Sequence, residues 1–262
     1  MKEASNDIER EWKFDCAPKD VEILSALRSL LPSGWRLVRG GDRGILDIYF
    51  DTPDGLLYYD GGSLRLRKRR VNRGWSVNFK PRPLEEQRFL ARPQMITSVT
   101  IDEALLFAYG RVPGLAYASA CEYVTDLQGR QGNAPRPPLV PVVHLISYRR
   151  EYSLRPGDIN DRSSNHIIAI VERVICIDVR TLDVRPVIRS GFLDVSAQVD
   201  SAEFDNAEIE ADGRTTSEAD AERTMVELVR VMIERGARQE RRNKYQRAVE
   251  ALEIFSLRSG VV

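Results

Sequence analysis

Residues 8–14, Ile8-Glu9-Arg10-Glu11-Trp12-Lys13-Phe14, decide the fold. A strand sends successive side chains to opposite faces, so residues i, i+2 and i+4 share one side. On that rule Glu9, Glu11 and Lys13 share a face, with Ile8, Arg10, Trp12 and Phe14 on the other. Burying Trp12 and Phe14 gains about 2–3 kcal/mol each. The aromatic face therefore turns to the core, and two acids and a lysine face something else.

Three further segments repeat the pattern. In Ser63–Arg70, SLRLRKRR, the face of Arg65, Arg67 and Arg69 opposes Leu64, Leu66 and Lys68. Within WSVNFK, Trp75, Val77 and Phe79 oppose Ser76, Asn78 and Lys80. In NAEIEAD, Glu208, Glu210 and Asp212 oppose Ala207, Ile209 and Ala211. Ordinary amphipathic strands with one solvated face would also alternate. The sorting of sign is what sets these apart, because like charges spaced about 7 Å along one strand repel rather than pair. Rows of arginine facing rows of glutamate suit a polyanion together with a divalent cation. Guanidinium and ammonium groups match phosphate oxygens, and clustered carboxylates suit a hard ion such as Mg2+ or Mn2+.

Composition agrees. The 262 residues carry 39 Lys plus Arg and 39 Asp plus Glu, a formal net charge of zero that excludes a generally basic nucleic-acid coat or an acidic tail protein. The zero hides two reservoirs. Gly61–Thr100 holds ten basic residues and two acids, whereas Asp194–Glu227 holds eleven acids and two basic residues. Cys16, Cys121 and Cys176 are an odd number without close spacing, which argues against a disulfide framework or a zinc site and suits a reducing compartment. No apolar stretch marks a signal peptide or a membrane span, so a cytoplasmic location is expected.

Outside the four ionic segments, strands are expected at 45–51, 140–154, 166–179 and 191–199, with helices from Val21 to Leu31, from Ile101 to Tyr109, after Ser217 and from about Arg238 to Phe255. The stretch around 127–138, which includes GRQGNAPRPP, reads as a flexible hairpin or insertion, and no linker divides the chain into two domains.

Taken in order, these segments resemble the CYTH family of triphosphate tunnel metalloenzymes. The family's ExExK appears as Glu9-Arg10-Glu11-Trp12-Lys13, its YFDTP as Tyr49-Phe50-Asp51-Thr52-Pro53, its LRxR strand as Leu64-Arg65-Leu66-Arg67, and its lysine-ending strand at Lys80. The next basic strand is placed at Arg88, the R-x-x-Y strand at Arg149 and Tyr152, the late acidic strand at Glu208 and Glu210, and the S-K-Y element at Asn243-Lys244-Tyr245. A one-residue slip would put Arg150 inside in place of Arg149.

The resemblance implies one α+β domain over residues 1–262: a closed antiparallel eight-stranded β-barrel, its ionic faces turned inward as a tunnel, with flanking helices. It further implies metal-dependent hydrolysis of a linear triphosphate, inorganic or organic. Glu9, Glu11, Glu208 and Glu210 would hold Mg2+ or Mn2+, with Asp212 a candidate helper. Lys13, Arg65, Arg67, Lys80, Arg88, Arg149 and Lys244 would grip the triphosphate, and Glu9, Glu11, Lys13 and Glu210 would carry the catalysis. The alternatives are a class IV adenylyl cyclase and a non-catalytic triphosphate or polyphosphate sensor. RNA binding through the six basic residues of Arg65–Arg73 is disfavoured, because half of them belong to the expected tunnel face. The partner is thus a small-molecule triphosphate rather than nucleic acid or membrane, and the protein a monomer or homodimer. His144 and His166 lack ligand spacing and are expected to be structural.

Overall fold

The computed structural model describes residues 5–15, 28–29, 31, 35–69, 74–83, 90–108, 115–129, 138–156, 167–190, 199–212 and 218–255. Nine strands are present among them: β1 (Ser5–Phe14), β2 (Trp35–Asp51), β3 (Ser63–Arg69), β4 (Trp75–Lys80), β5 (Leu90–Val99), β6 (Val140–Pro156), β7 (Ile167–Asp178), β8 (Ser201–Asp212) and β9 (Gln239–Glu240). The helices are α1 (Leu56–Asp60), α2 (Ile101–Ala108), α3 (Leu115–Leu127), α4 (Arg185–Ser190), α5 (Glu218–Glu234) and α6 (Lys244–Ala251). Most of the expected helix at 21–31, nearly all of the strand at 191–199 and most of the 127–138 loop fall outside the described residues.

The strands form one antiparallel sheet in the order β5-β4-β3-β2-β6-β7-β8-β1-β9, with a further pairing between β5 and β1. This corrects the expectation of a closed eight-stranded barrel. One edge of β1 is taken by β8 along Glu9–Phe14. The other edge is divided between β5, along Ser5–Glu11, and β9, at Lys13–Phe14. β1 outruns β5, and the exposed end of its edge recruits two more residues of chain. The result is a nine-stranded sheet curled on itself rather than a closed cylinder of eight strands. The α+β class stands, because the helices flank this single sheet.

β2 and β6 form the longest ladder, from Trp35 opposite Pro156 to Asp51 opposite Val140. A register shift between Arg39 and Gly41 bends it. Gly41, at φ 100°, occupies left-handed backbone that a Cβ would disfavour.

Convex and concave faces carry different cores. On the convex side Leu64, Leu66, Trp75, Val77 and Phe79 pack with Phe107 of α2, Ala120 and Val124 of α3 and Ile188 of α4. Trp12, Phe14, Ala207 and Ile209 pack with the Met225, Leu228, Val229 and Met232 stripe of α5. The concave side is filled at one end by α6. There Tyr245, Ala248 and Val249 meet Tyr49, Val143, Leu145 and Val174, and the Tyr245 ring stacks on Tyr49 at 5.2 Å and 5°.

Local chemistry fixes the helix starts. Thr100 and Glu103 cap α2 reciprocally, through Thr100 N–H to Glu103 Oε2 at 2.7 Å and Glu103 N–H to Thr100 Oγ1 at 3.2 Å. The last helix begins at Lys244, six residues later than expected, for two reasons. Gln239–Glu240 is drawn into pairing with β1. Asn243 then caps α6, accepting from Gln246 N–H at 2.9 Å while its own N–H donates to Gln246 Oε1 at 3.0 Å. The Asn243 amide also donates to Gly61 O at 3.0 Å, which pins the start of α6 at the end of α1. No helix among the described residues is long and apolar enough to cross a membrane.

Candidate active site

The concave face beyond α6 is an ionic pocket of about 600 Å³, counting the solvent at its mouth. Alternation along the strands delivers its side chains. β1 contributes Glu11 and Lys13, β3 Arg65 and Arg67, β4 Asn78 and Lys80, β6 Arg149, and β8 Glu208 and Glu210. Lys244 enters from the first turn of α6, placed by the Asn243 cap. Among the described residues six cations and three carboxylates line the pocket. The arginines of β3 and the glutamates of β8 come from opposite sides of the curled sheet and meet in this one cavity.

Carboxylate oxygens of Glu11, Glu208 and Glu210 lie within 4.8 Å of one another. Three convergent carboxylates are an oxygen donor set that fits a hard divalent cation and would suit zinc or copper poorly. Glu9 sits on the same strand face, in register with Asp212 of β8 and Arg92 of β5. The side chains of Glu9 and Asp212, and all of Arg88, lie outside the described residues. Arg149 lines the pocket, whereas Arg150 points out of it and pairs with Asp42 at 3.3 Å. His144 is buried in the core with Nδ1 3.1 Å from Asp47 O, and His166 lies outside the described residues.

Buried charge of this density needs partners, and two carboxylates not anticipated from the sequence supply them. Asp47 of β2 receives a bidentate fork from Arg67, at 2.7 Å on each oxygen, and lies 3.8 Å from Arg65. Arg65 also donates to Tyr49 Oη at 3.1 Å. Glu172 of β7, wholly buried, forms an ion pair with Lys244 and accepts from Arg149 Nε at 3.3 Å and Asn206 Nδ2 at 2.7 Å. Asn206 in turn accepts from Arg247 at 3.0 Å, tying this network to α6.

The pKa shifts follow from these contacts. Burial alone would raise the Glu208 carboxyl, but Lys244, Lys13 and Arg149 together hold it well below the usual range. Burial pushes Lys244 and Arg149 down, yet Glu172 and Glu208 raise both, with Glu210 and Glu151 also acting on Arg149. Desolvation of Asp47 is likewise outweighed by Arg67 and Arg65. Glu208 and Asp47 are thus held as carboxylates, and Lys244 and Arg149 as cations, so fixed charges of both signs meet at the pocket.

The signal for Asp47 was present in ILDIYFD, where Asp47, Tyr49 and Asp51 share the face opposite Ile48 and Phe50. Glu172 is harder to see, since in IIAIVERVICID it reads as an interruption of an apolar run. Its meaning appears only through the ladder that sets it opposite both Arg149 and Asn206.

The CYTH domain matches residues 7–242. The chain belongs to the CYTH family. No curated protein matches it in sequence. Among solved structures it is similar to a putative adenylate cyclase from Bacillus halodurans, with 17% identity, a TM-score of 0.50 and coverage of 93% of this chain and 97% of that one. It is also similar to a putative adenylyl cyclase from Hippeastrum, whose description credits it with a dominant triphosphatase activity, at 15% identity, a TM-score of 0.45 and 95% coverage of each chain. At such identities the likeness concerns the fold. The CYTH match spans β1 to β9, and so includes every strand that lines the pocket.

Proposed function

We propose that this CYTH protein hydrolyses a phosphoanhydride bond of a linear triphosphate in the ionic pocket, with Mg2+ or Mn2+. One observation carries the reading: among the described residues a cluster of three carboxylates and a set of six cations line a single cavity. An extended polyanion needs cations along its length, which the rim of Arg65, Arg67, Lys80, Lys13, Arg149 and Lys244 provides. A divalent ion held by Glu11, Glu208 and Glu210, with Glu9 as a further ligand, would supply neutralisation of phosphate charge and activation of water.

The protein's own groups do the rest. Asp47 fixes the Arg67 fork, so its outward N–H groups meet phosphate oxygens without first being ordered. Arg149 and Lys244, held protonated by Glu172 and Glu208, offset charge that builds on the non-bridging oxygens in the transition state. Glu210, less enclosed than Glu11 and Glu208, is assigned to orient the attacking water. The water oxygen bonds to the terminal phosphorus as the bond from that phosphorus to the bridging oxygen breaks; orthophosphate forms, and the shortened phosphate chain leaves with the bridging oxygen, which takes up the proton the water gives up.

The test is a phosphate-release screen over tripolyphosphate, ATP, thiamine triphosphate and long-chain polyphosphate with each metal, with cyclic AMP measured in parallel. Release of phosphate from a triphosphate without cyclic AMP is the expected result. Cyclic AMP with pyrophosphate would replace the hydrolase by a cyclase, and tight binding without turnover under any divalent metal would replace it by a sensor.

A further inference from the structure

The junction of β2 and α1 holds a buried acid that the pocket does not use. Asp51, the last residue of β2, is wholly buried, and its carboxylate accepts four hydrogen bonds of 2.9 Å or less. Three come from backbone, from Thr52 N–H at 2.7 Å and from Leu57 N–H and Tyr58 N–H at 2.9 Å each. The fourth comes from Tyr245 Oη of α6, at 2.8 Å. Neither Asp51 nor Tyr245 lines the pocket.

These bonds make α1 a bracket for the start of α6. The first N–H groups of a helix have no partner within it, and Gly55, which precedes α1, has no side chain to cap them. Asp51 supplies the acceptor from outside, to Leu57 and Tyr58. The far end of α1 is held by α6, where Gln246 Nε2 donates to Tyr58 O at 3.1 Å and Asn243 Nδ2 to Gly61 O at 3.0 Å. Tyr245 closes the circuit by returning to Asp51 while its ring stacks on Tyr49. Asn243, Tyr245 and Gln246 are thus all tied to the bracket. Lys244 is the one cation among these four residues, and its ammonium enters the pocket beside Glu172 and Glu208. Consecutive residues of a helix diverge by about 100° around its axis. A tyrosine engaged through both ring and hydroxyl therefore fixes the rotation of the first turn, and with it the direction in which Lys244 leaves.

We propose that Asp51, acting through Tyr245, is a positioning residue for Lys244 and sets the angle at which that cation meets the triphosphate. The inference rests on the reading of the pocket as a triphosphate site. A cation already in place binds an anion without first being ordered, so loosening it shows as lost affinity. Tyr245→Phe isolates the contribution, since the ring and its stack on Tyr49 remain while the bond to Asp51 is lost.

Calorimetry with tripolyphosphate in EDTA reads binding apart from turnover, and melting curves on the same samples read the structural cost. The wild type, Tyr245→Phe, Lys244→Met and the double variant are compared, with Asp51→Asn beside them. Tyr245→Phe is expected to weaken tripolyphosphate binding by about threefold or more in the wild-type background and by a smaller factor on Lys244→Met, with Asp51→Asn moving in the same direction as Tyr245→Phe. A bond that only supports the fold would lower the melting temperature without this dependence on Lys244. A smaller loss in the wild-type background, or an equal factor in both backgrounds, overturns the assignment while the triphosphate site stands. Should Asp51→Asn fail to fold, the Tyr245→Phe comparison still decides. If the wild type binds no tripolyphosphate, the reading of the pocket falls and the assignment with it.

Discussion

Replacing Glu172 by Gln should damage this protein more than replacing any single surface acid, and the geometry sets the size of the effect. The carboxylate is wholly buried and joins Lys244, Arg149 and Asn206 in one network. Gln keeps the shape and one acceptor oxygen but removes the negative charge, so two buried cations share fewer anions. Breaking a buried ion pair by removing one partner costs about 3–5 kcal/mol. Glu208 remains 3.7 Å from Arg149 and 3.3 Å from Lys244, which sets the loss near the lower end, about 3 kcal/mol. The shift of both cations toward Glu208 should also draw that carboxylate from its place beside Glu11 and Glu210. Mn2+ affinity is then expected to fall about tenfold, as for other residues that orient metal ligands. Urea denaturation gives the first quantity and a Mn2+ titration the second. Lys244→Met closes a double-mutant cycle: the double variant should be less destabilised than the sum of the singles by about 1–3 kcal/mol. A loss below about 1 kcal/mol, or strict additivity in the cycle, would refute Glu172 as the residue that holds the two cations.

Two further perturbations probe the supports of the pocket. The Asp47 carboxyl is desolvated, yet Arg67 and Arg65 depress it below its ordinary value; its contribution is complete above the unfolded pKa near 3.9 and is lost as pH falls below that value toward the folded one. Unfolding free energy by urea should therefore decline more steeply below about pH 4 in the wild type than in Asp47→Asn, and equal slopes would contradict the assignment. Asn243→Ala removes the α6 capping box, which is expected to cost about 1 kcal/mol and to lower Tm by about 3 °C, read by thermal melting. Because Lys244 follows directly, triphosphate affinity should weaken in that variant as well.

What the sequence reveals and what it conceals divide along physical lines. IEREWKF, LRLR and AEIEAD are legible because alternation is local: each strand states which charges share a face without knowledge of its neighbours. The strand count is not legible in the same way. β9 is two residues long, too short to carry any period, and the pairings of β1 with β5 and β9 join segments far apart in the chain. The apolar stripe of Tyr245 and Val249 announces a buried helix face, but nothing in it says that the face lies in the concavity rather than outside. Asp47 and Glu172 illustrate a third case. Each is an acid flanked by apolar residues, and only the cross-strand register shows that it balances buried cations.

The central claim is that Glu11, Glu208 and Glu210 bind a divalent cation that serves triphosphate hydrolysis in the pocket they share with the cationic cradle. The most direct measurement is phosphate release from ATP and tripolyphosphate by Glu210→Gln beside the wild type, with Mn2+ binding followed on the same samples. Loss of about 100-fold or more in rate, with weakened Mn2+ binding and an unchanged melting curve, is predicted. An unchanged rate in Glu210→Gln would contradict the account.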